Sequence, residues 1–272
     1  MKNSQHNHNP VYDGSTSLNI LETFPAFVAN GWGLYSDRAP LTVKSINQTI
    51  PALERLASCN ERGLLNIKPI DAFLNGIQLS DSSERLRRLF SAYGSDKGAT
   101  HNYHLAYDRI IGNPEHISKI FEIGLGTNNV DIVSTMGSGG SPGASLRAFR
   151  DYCPSAQIFG ADFDKRILFV EDRIETFFVD QTEIETFMPL SQAVGADFDL
   201  MIDDGLHAPN ANLNSLDFFL PRIKVGGWAV IEDIALPSVA IWKLVGSILP
   251  NRFDCHLLQA AHSLLFIVNR LE

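Results

Sequence analysis

From about residue 117 to the end of the chain, short runs of apolar and β-branched residues alternate with longer stretches of helical periodicity. This alternation constrains the fold strongly, because strand, crossover helix and parallel strand form the repeating unit of α/β sheets. Five strands are predicted: SKIFEIG (118–124), AQIFGAD (156–162), IETFFVD (174–180), FDLMIDD (198–204) and GWAVIED (227–233). Crossover helices are predicted over GASLRAFRDYC (143–153), TEIETFMPLSQAV (182–194) and NANLNSLDFFLPRI (210–223).

The last part of the chain lacks a helix between its final two strand-like runs. After a helix predicted near 238–249, two strand-like runs, RFDCHLLQ and SLLFIVNR, are separated by little more than residues 260–262. A connection this short cannot be a parallel crossover, so these strands are expected to form an antiparallel hairpin. The predicted fold class is α/β: a doubly wound, Rossmann-like, seven-stranded sheet with a terminal antiparallel hairpin and a helical N-terminal extension.

Residues 1–92 show no alternation of strand and helix. Helical periodicity occurs in NQTIPALERLA and SSERLRRLFSAYG, and the polar first 15 or so residues are expected to be disordered or to form an arm. We predict a helical N-terminal extension over 1–92 and a single α/β domain over 93–272. The extension is expected to be a structural cap, or to contribute to a lid or to a homo-oligomer interface.

Composition limits the classes of function. A formal net charge of −9 disfavours a general attraction to nucleic acid or to an anionic membrane. No apolar run is long enough for a membrane span or a secretory signal, so the cytoplasm is the expected location. Cys59, Cys153 and Cys255 are odd in number and widely spaced, and they are expected to be buried thiols. A small molecule, neutral or carried with a metal, is the expected partner.

The turn after the first predicted strand, EIGLGTNN (122–129), is rich in glycine. In a doubly wound sheet this turn lies where ligands bind, and Gly124 and Gly126 would let the backbone approach one closely. Asn129 stands where a dinucleotide fingerprint has Gly or Ala, and the next clear helix begins well beyond the turn, so a nicotinamide dehydrogenase is disfavoured. Asp162, at the end of the second strand, is placed to accept hydrogen bonds from a ribose diol.

In DLMIDDGLHAPN (199–210) an apolar strand ends at two adjacent carboxylates, Asp203 and Asp204, with His207 three residues later. Adjacent carboxylates repel one another unless a cation or a set of donors holds them. A helix cap or a buried arginine would satisfy such a pair, and so would a ligand.

The ordered set EIGLG, GADFD, VDQT, IDDGLH and GGWAVIED, with the terminal antiparallel pair, resembles the class I S-adenosylmethionine-dependent methyltransferases over roughly residues 93–272. The closer resemblance is to metal-dependent sugar O-methyltransferases, typified by those that act on macrolide sugars. That group shares GSDKG followed by H-x-Y, and a DDGSH-like motif followed by IED. Here these motifs lie at 94–98, 101–103, 203–207 and 231–233.

The resemblance implies an S-adenosylmethionine site with the methionine half, the ribose and the adenine in that order along the sheet. The cofactor-binding residues that it implies are Glu122, Gly124, Gly126, Ser145, Asp162, Asp180, Gln181 and Asp203. Two departures stand out: the long Gly/Ser-rich loop over 128–145, which leaves the contact of Ser145 open, and Leu206 in place of the motif's serine.

In the class I strand order, the strands that end at Asp204 and Asp233 are neighbours, about 4.8 Å apart. Two carboxylates at adjacent strand ends are natural ligands for Mg²⁺, and Glu232 competes with Asp233 for this role. His207 is the candidate general base, because a neutral imidazole accepts protons near working pH. Asp233 as a helix cap and His207 as an ordinary loop residue are the alternatives.

These residues predict an S-adenosylmethionine-dependent O-methyltransferase that acts on a hydroxyl of a sugar or glycosylated small molecule, with Mg²⁺ assistance and His207 as base. His101, Tyr103, His104 and Tyr107 either line the acceptor pocket or pack as one face of a helix. Two alternatives stay open. One is a catechol- or phenol-type metal-dependent O-methyltransferase, and the other is a non-catalytic fold member that binds the cofactor.

Overall fold

The computed structural model describes residues 35–74 and 81–272. Internal contacts divide the chain into two units, Met1–Glu61 and Arg62–Glu272. In the first unit, the described residues form one long helix, α1 (Tyr35–Ala57), which contains the predicted helical run NQTIPALERLA. The expectation of disorder in the first 15 or so residues lies outside the described residues.

In the second unit, the described residues form one sheet in the order β1-β8-β9-β7-β6-β2-β3-β5-β4. Its strands are β1 (Ile67–Pro69), β2 (Lys119–Ile123), β3 (Gln157–Asp162), β4 (Val170–Glu171), β5 (Ile174–Phe178), β6 (Phe198–Asp203), β7 (Ile223–Ile234), β8 (Phe253–Gln259) and β9 (Leu264–Arg270). The central strands β5, β3, β2, β6 and β7 are parallel. β9 is antiparallel to both β7 and β8.

All seven predicted strands are present, and the terminal antiparallel hairpin is confirmed by the pairing of β8 with β9 from Phe253↔Arg270 to Gln259↔Leu264. Two short edge strands were not predicted. β1 has 3 residues and β4 has 2, which is too few to show the period-two alternation that identifies a strand in a sequence.

The helices of the second unit lie between the strands in chain order. They are α2 (Ile70–Phe73), α3 (Asp81–Tyr93), α4 (His104–Ile111), α5 (Ala144–Tyr152), α6 (Phe187–Val194), α7 (Pro209–Phe219) and α8 (Val239–Ile248). Short 3-10 turns lie at Pro114–His116, Lys165–Ile167, Ile184–Thr186 and Leu236–Ser238. The three crossover helices correspond to α5, α6 and α7, and the last predicted helix corresponds to α8.

Each face of the sheet carries its own apolar core. Neighbouring residues of a strand point to opposite faces, so Ile120 and Leu200 join the core that contains residues of α3, α4 and α5. Phe121 and Met201, one position further along, join the core that contains residues of α6, α7 and α8. Helices on both faces make the sheet doubly wound, as predicted.

The division between the two units differs from the predicted boundary at 92/93, because residues 62–92 belong to the α/β unit. Leu86 and Phe90, four positions apart on α3, are fully buried. The ring of Phe90 meets that of Phe149 on α5 edge-on, with centroids 5.3 Å apart. The helical period of α3 was visible in the sequence, whereas its packing partner was not.

The cysteines follow the prediction only in part. Cys153 and Cys255 are buried free thiols, and burial raises their pKa values to about 12 and about 11. Cys59, two residues beyond the end of α1, is exposed. Within the described ranges, no helix has the length and apolarity needed to cross a membrane.

Asp199, near the start of β6, ties that strand to β2. Its Oδ2 accepts hydrogen bonds from the Ser118 amide at 2.8 Å and the Lys119 amide at 2.9 Å, and its Oδ1 pairs with Lys224. Burial alone would raise the pKa of Asp199, but the hydrogen bonds from Lys224, Lys119 and Ser118 outweigh it and lower the pKa.

The variant Asp199→Asn is expected to lower the free energy of unfolding at pH 7 by about 1–3 kcal/mol. Because the folded pKa of Asp199 lies below its unfolded value of about 3.9, this contribution is complete above that pH. It is lost as the pH falls through the folded pKa. Urea denaturation at pH 7 and at pH 3 measures the difference, with the exposed Asp217→Asn as control. A difference of equal size at both pH values would contradict the assignment.

Candidate active site

A cleft of about 420 Å³ opens at the carboxyl ends of β2, β3, β5, β6 and β7. This is the edge where parallel α/β sheets bind ligands. The candidate residues that line it are Gly124, Gly126, Asp162, Asp180, Gln181, Asp204, His207 and Asp233. The fold therefore brings together eight of the eleven candidate site residues, from five strand ends that are distant in sequence.

The glycine turn after β2 is required by close packing of two backbones. Gly124 has a φ of 94°, and a Cβ at this position would lie 2.0 Å from the carbonyl oxygen of Asp204. The amide of Asp204 donates to the carbonyl of Ile123 at 2.8 Å, which holds the two strand ends together. Only glycine combines this φ with this contact, so the close approach of the two strand ends requires glycine at this position.

Asp162 lies at the end of β3 with its carboxylate held by backbone amides. Its Oδ2 accepts from the amide of Leu125 at 2.7 Å, and its Oδ1 accepts from the amide of Asp164 at 2.8 Å. Each carboxylate oxygen has a further lone pair, so Asp162 can still accept from a ligand in the cleft.

The adjacent carboxylates Asp203 and Asp204 face different surroundings. Asp203 is fully buried, and burial raises its pKa. Its oxygens accept from Gln181 Nε2 at 2.8 Å and from Asn212 Nδ2 at 2.9 Å. Gln181 in turn accepts from the amide of Leu206 at 2.8 Å. Asp203 thus supports the loop that carries His207, while Asp204 lines the cleft.

Asp204, His207 and Asp233 converge at one end of the cleft. One ligand atom from each lies within 4.8 Å of the other two. His207 Nε2 is 3.8 Å from Asp204 Oδ1 and 3.8 Å from Asp233 Oδ2. His207 and Asp233 have φ values of 56° and 52°, a region that non-glycine residues rarely adopt and that is enriched at functional sites.

Asp233 is held from its other side. Tyr103 donates a hydrogen bond to its Oδ1, and His101 Nδ1 lies 3.8 Å from the same oxygen. Burial alone would raise the pKa of Asp233, but the hydrogen bond from Tyr103 and the nearby His207 lower it. Asp233 is therefore anionic at neutral pH, with Oδ2 toward His207.

Lys97 forms a buried ionic centre beneath the same residues. Its Nζ lies 2.5 Å from Asp204 Oδ2, 2.5 Å from Glu232 Oε2 and 3.1 Å from Glu122 Oε1. Burial alone would lower the pKa of Lys97, yet the carboxylates raise it well above its usual value. Burial raises the pKa values of Glu122 and Glu232.

The chain was compared with known proteins. No family model matches it. A rhamnosyl-tetracenomycin 3'-O-methyltransferase of Streptomyces olivaceus is 30% identical over 152 residues, 55% of this chain and 36% of the relative. L-olivosyl-oleandolide 3-O-methyltransferase of Streptomyces antibioticus is 32% identical over 151 residues, 54% of this chain and 36% of the relative. The chain thus spans about a third of the length of these curated relatives.

A solved methyltransferase of the mycinamycin biosynthetic pathway, MycE in complex with Mg and SAH, matches with a TM-score of 0.55 and 25% identity. The match covers 69% of this chain and 55% of that one. The fold is that of a class I S-adenosylmethionine-dependent methyltransferase. The resemblance drawn from the motifs is confirmed, since the relatives are sugar O-methyltransferases.

Three of the candidate residues lie outside the cleft of this methyltransferase fold. Glu122, Ser145 and Asp203 are buried beneath it, with Ser145 Oγ donating to Glu122 Oε2 at 2.6 Å. Their carboxylates and hydroxyl hold other residues of the site in place. The alternation of side chains along a strand shows which face of the sheet a residue lies on. It does not show whether a residue at the strand end lines the cleft or is buried beneath it.

Lys97 is the site residue that the sequence analysis left without a role. Its signal was present, since GSDKG was among the motifs that carried the resemblance. A lysine in a polar turn normally points into solvent, however, and nothing in the local pattern shows that Lys97 is 1% exposed.

Of the four candidate acceptor-pocket residues before β2, three are buried and His101 is half-buried. Tyr103 and Tyr107 are 1% and 0% exposed, and His104 is also buried. Tyr107 donates to Glu232 Oε1. A second cleft of about 340 Å³ shares Asp233 with the first and is lined further by Ile234, Ala235, Leu236, Gln259, His262, Ser263 and Leu264.

The Gly/Ser-rich loop over 128–145 folds back over the glycine turn. The amide of Met136 donates to the carbonyl of Thr127 at 2.9 Å, and the amide of Gly143 donates to the carbonyl of Leu125 at 2.7 Å. Ile132, Val133 and Met136 line the cleft. This departure from the motif pattern adds an apolar wall beside Gly126.

Proposed function

We propose that this chain is an S-adenosylmethionine-dependent O-methyltransferase that methylates a hydroxyl of a sugar or glycosylated small molecule, with Mg²⁺ assistance. The convergence of Asp204, His207 and Asp233 beside the glycine-lined cleft carries the proposal. It supports roles for Asp204 and Asp233 as oxygen ligands and for His207 as base, next to the space where a cofactor would lie.

The cleft fits the cofactor by shape and by hydrogen-bonding groups. Gly124 and Gly126 line the cleft with backbone alone, and they would border the methionine half. Asp162 would accept from the ribose hydroxyls, while Asp180 and Gln181 lie further along the cleft, where the adenine is expected. Glu122, Ser145 and Asp203 would act through these residues by holding the loops that carry them.

The donor set also fits Mg²⁺, which prefers carboxylate oxygens and retains several waters. Asp204 Oδ1 and Asp233 Oδ2 both face His207 across 3.8 Å, so they can hold one ion between them. Glu232 is less suited, since its Oε2 pairs with Lys97 and its Oε1 accepts from Tyr107. When bound, the ion would lower the pKa of a substrate hydroxyl.

His207 would complete the reaction as general base. His207 Nε2 would take the proton of the acceptor hydroxyl, and the methyl group would pass from the sulfonium of the bound cofactor to that oxygen as the sulfur–carbon bond breaks. The Asp203–Gln181–Leu206 hydrogen bonds fix the loop that carries His207, so the imidazole is positioned before the acceptor arrives. S-adenosylhomocysteine and the methyl ether are the products.

Charge and the relatives' names support a neutral glycoside as the acceptor. Of the described residues that line the two clefts, none is lysine or arginine, so a phosphorylated sugar would lack a counter-charge. The relatives named above act on rhamnosyl and olivosyl groups of larger molecules.

The test is methyl transfer by the full chain from S-adenosylmethionine to phenyl α-L-rhamnoside and, separately, to catechol. With Mg²⁺ we expect S-adenosylhomocysteine to form with the rhamnoside, and EDTA to abolish it. Transfer to catechol and not to the rhamnoside would show that the acceptor is a flat phenol and would refute the proposed sugar acceptor. Cofactor binding by calorimetry without transfer to either acceptor would favour a non-catalytic binding protein, and equal turnover in EDTA would refute metal assistance.

A further inference from the structure

Three carboxylates surround one point beneath the cleft, and the Lys97 ammonium occupies that point. Glu122, Asp204 and Glu232 each direct one oxygen toward Nζ, at 3.1, 2.5 and 2.5 Å. The side chain of Lys97 is 2% exposed, and those of Glu122 and Glu232 are 0% and 1% exposed. The ammonium is therefore a built-in cation, supplied by the chain itself.

The three carboxylates differ in what their second oxygen contacts. The second oxygen of Glu122 accepts from Ser145, and that of Glu232 accepts from Tyr107. Asp204 alone of the three reaches the cleft, where its Oδ1 faces His207. Lys97 thus takes one oxygen of Asp204 and leaves the other for a ligand on the cleft side.

Without the ammonium, the same three oxygens would form a strong site for a divalent cation. Convergent carboxylate oxygens are what Mg²⁺ and Mn²⁺ prefer, and this pocket offers three such oxygens where Asp204 and Asp233 offer two on the cleft side. An ion at that depth would lie beneath Asp204, on the side away from His207 and Asp233. It could not serve a hydroxyl in the cleft.

We propose that Lys97 is a positioning residue whose ammonium keeps the divalent cation out of the carboxylate pocket and directs it to the cleft-side oxygens of Asp204 and Asp233. The inference rests on the metal assistance in the proposed function. It makes a counterintuitive prediction, because removing the lysine should improve metal binding while it harms catalysis.

The experiment measures Mn²⁺ affinity by calorimetry for the full chain, for Lys97→Met and for each of these with Asp233→Asn. Methionine keeps the length of the side chain and removes its charge. In Lys97→Met we expect Mn²⁺ to bind at least about tenfold more tightly, while transfer to phenyl α-L-rhamnoside falls. Asp233→Asn should weaken Mn²⁺ binding in the wild-type background and have little effect in the Lys97→Met background, because the ion has moved.

Every outcome decides the question. If Lys97→Met binds Mn²⁺ no more tightly than the wild type, or still depends on Asp233, the inference is overturned. If the wild type binds no Mn²⁺ but Lys97→Met does, the proposed metal assistance fails, and the inference that Lys97 directs the ion to the cleft fails with it. Should the single variant not fold, Lys97→Gln removes the charge, keeps all three carboxylates and retains an amide that can donate to them, and the same comparison applies to it.

Discussion

Replacing His207 with alanine is expected to lower kcat for methyl transfer by about 10²–10⁴-fold, the range that general-base catalysis contributes. The affinities for S-adenosylmethionine and Mn²⁺ should change by no more than about twofold, because Asp204 and Asp233 keep their oxygens and their own contacts with Lys97 and Tyr103. Steady-state kinetics with phenyl α-L-rhamnoside and calorimetry of both ligands measure the two effects separately.

The separation of kcat from metal affinity distinguishes two roles for the imidazole. His207 Nε2 lies within reach of the same ion that the two carboxylates would hold. A Mn²⁺ affinity that falls in parallel with kcat would make His207 a metal ligand and leave the base unassigned. His116→Ala is the matched control, since this histidine is exposed beside a surface 3-10 turn.

Replacing Asp233 with asparagine is expected to weaken Mn²⁺ binding at least about 100-fold, more than is typical when only a supporting residue of a metal site is changed. Asparagine has nearly the same shape and can still accept from Tyr103, so the change removes charge and one strong ligand with little repacking. Turnover should fall because less metal is bound, and it should recover in part as the Mn²⁺ concentration rises.

Asp217→Asn removes the same charge from an exposed position on α7, and it should leave the Mn²⁺ affinity and the turnover unchanged. Metal-dependent turnover that survives Asp233→Asn at low Mn²⁺ would instead implicate Glu232, the neighbour that competes for this role in the sequence. Glu232→Gln then serves as the deciding variant, because both of its oxygens are engaged by Lys97 and Tyr107 in the structure.

Much of the fold could be predicted because its signals are local. The run FDLMIDD was predicted as a strand over 198–204, and β6 spans Phe198–Asp203. The short link between the last two runs predicted their antiparallel pairing, since chain length alone forbids a crossover. β1 and β4 were not predicted, because a strand of two or three residues is too short to show an alternating pattern. Each is recognised only by its hydrogen-bonded pairing with a neighbour, β8 and β5 respectively.

The candidate site was predictable to the extent that it lies at strand ends. Asp162, Asp204 and Asp233 follow or close apolar runs, and topology brings such ends to one edge of the sheet. Depth beneath that edge was not predictable. Lys97 lies in a polar turn, and its burial depends on Asp204, 107 positions later, and on Glu232, 135 positions later.

The pair Asp203 and Asp204 shows where the two kinds of information divide. The sequence by itself determined that two carboxylates end a buried strand and that neighbours along a strand point in opposite directions, because the side-chain period of a strand is two. Only the tertiary structure decided which of them lines the cleft. Asp203 is enclosed by Gln181 and Asn212, and Asp204 is shared between Lys97 and the cleft. These partners come from other segments of the chain, so the repulsion between neighbours is resolved by contacts that no local pattern contains.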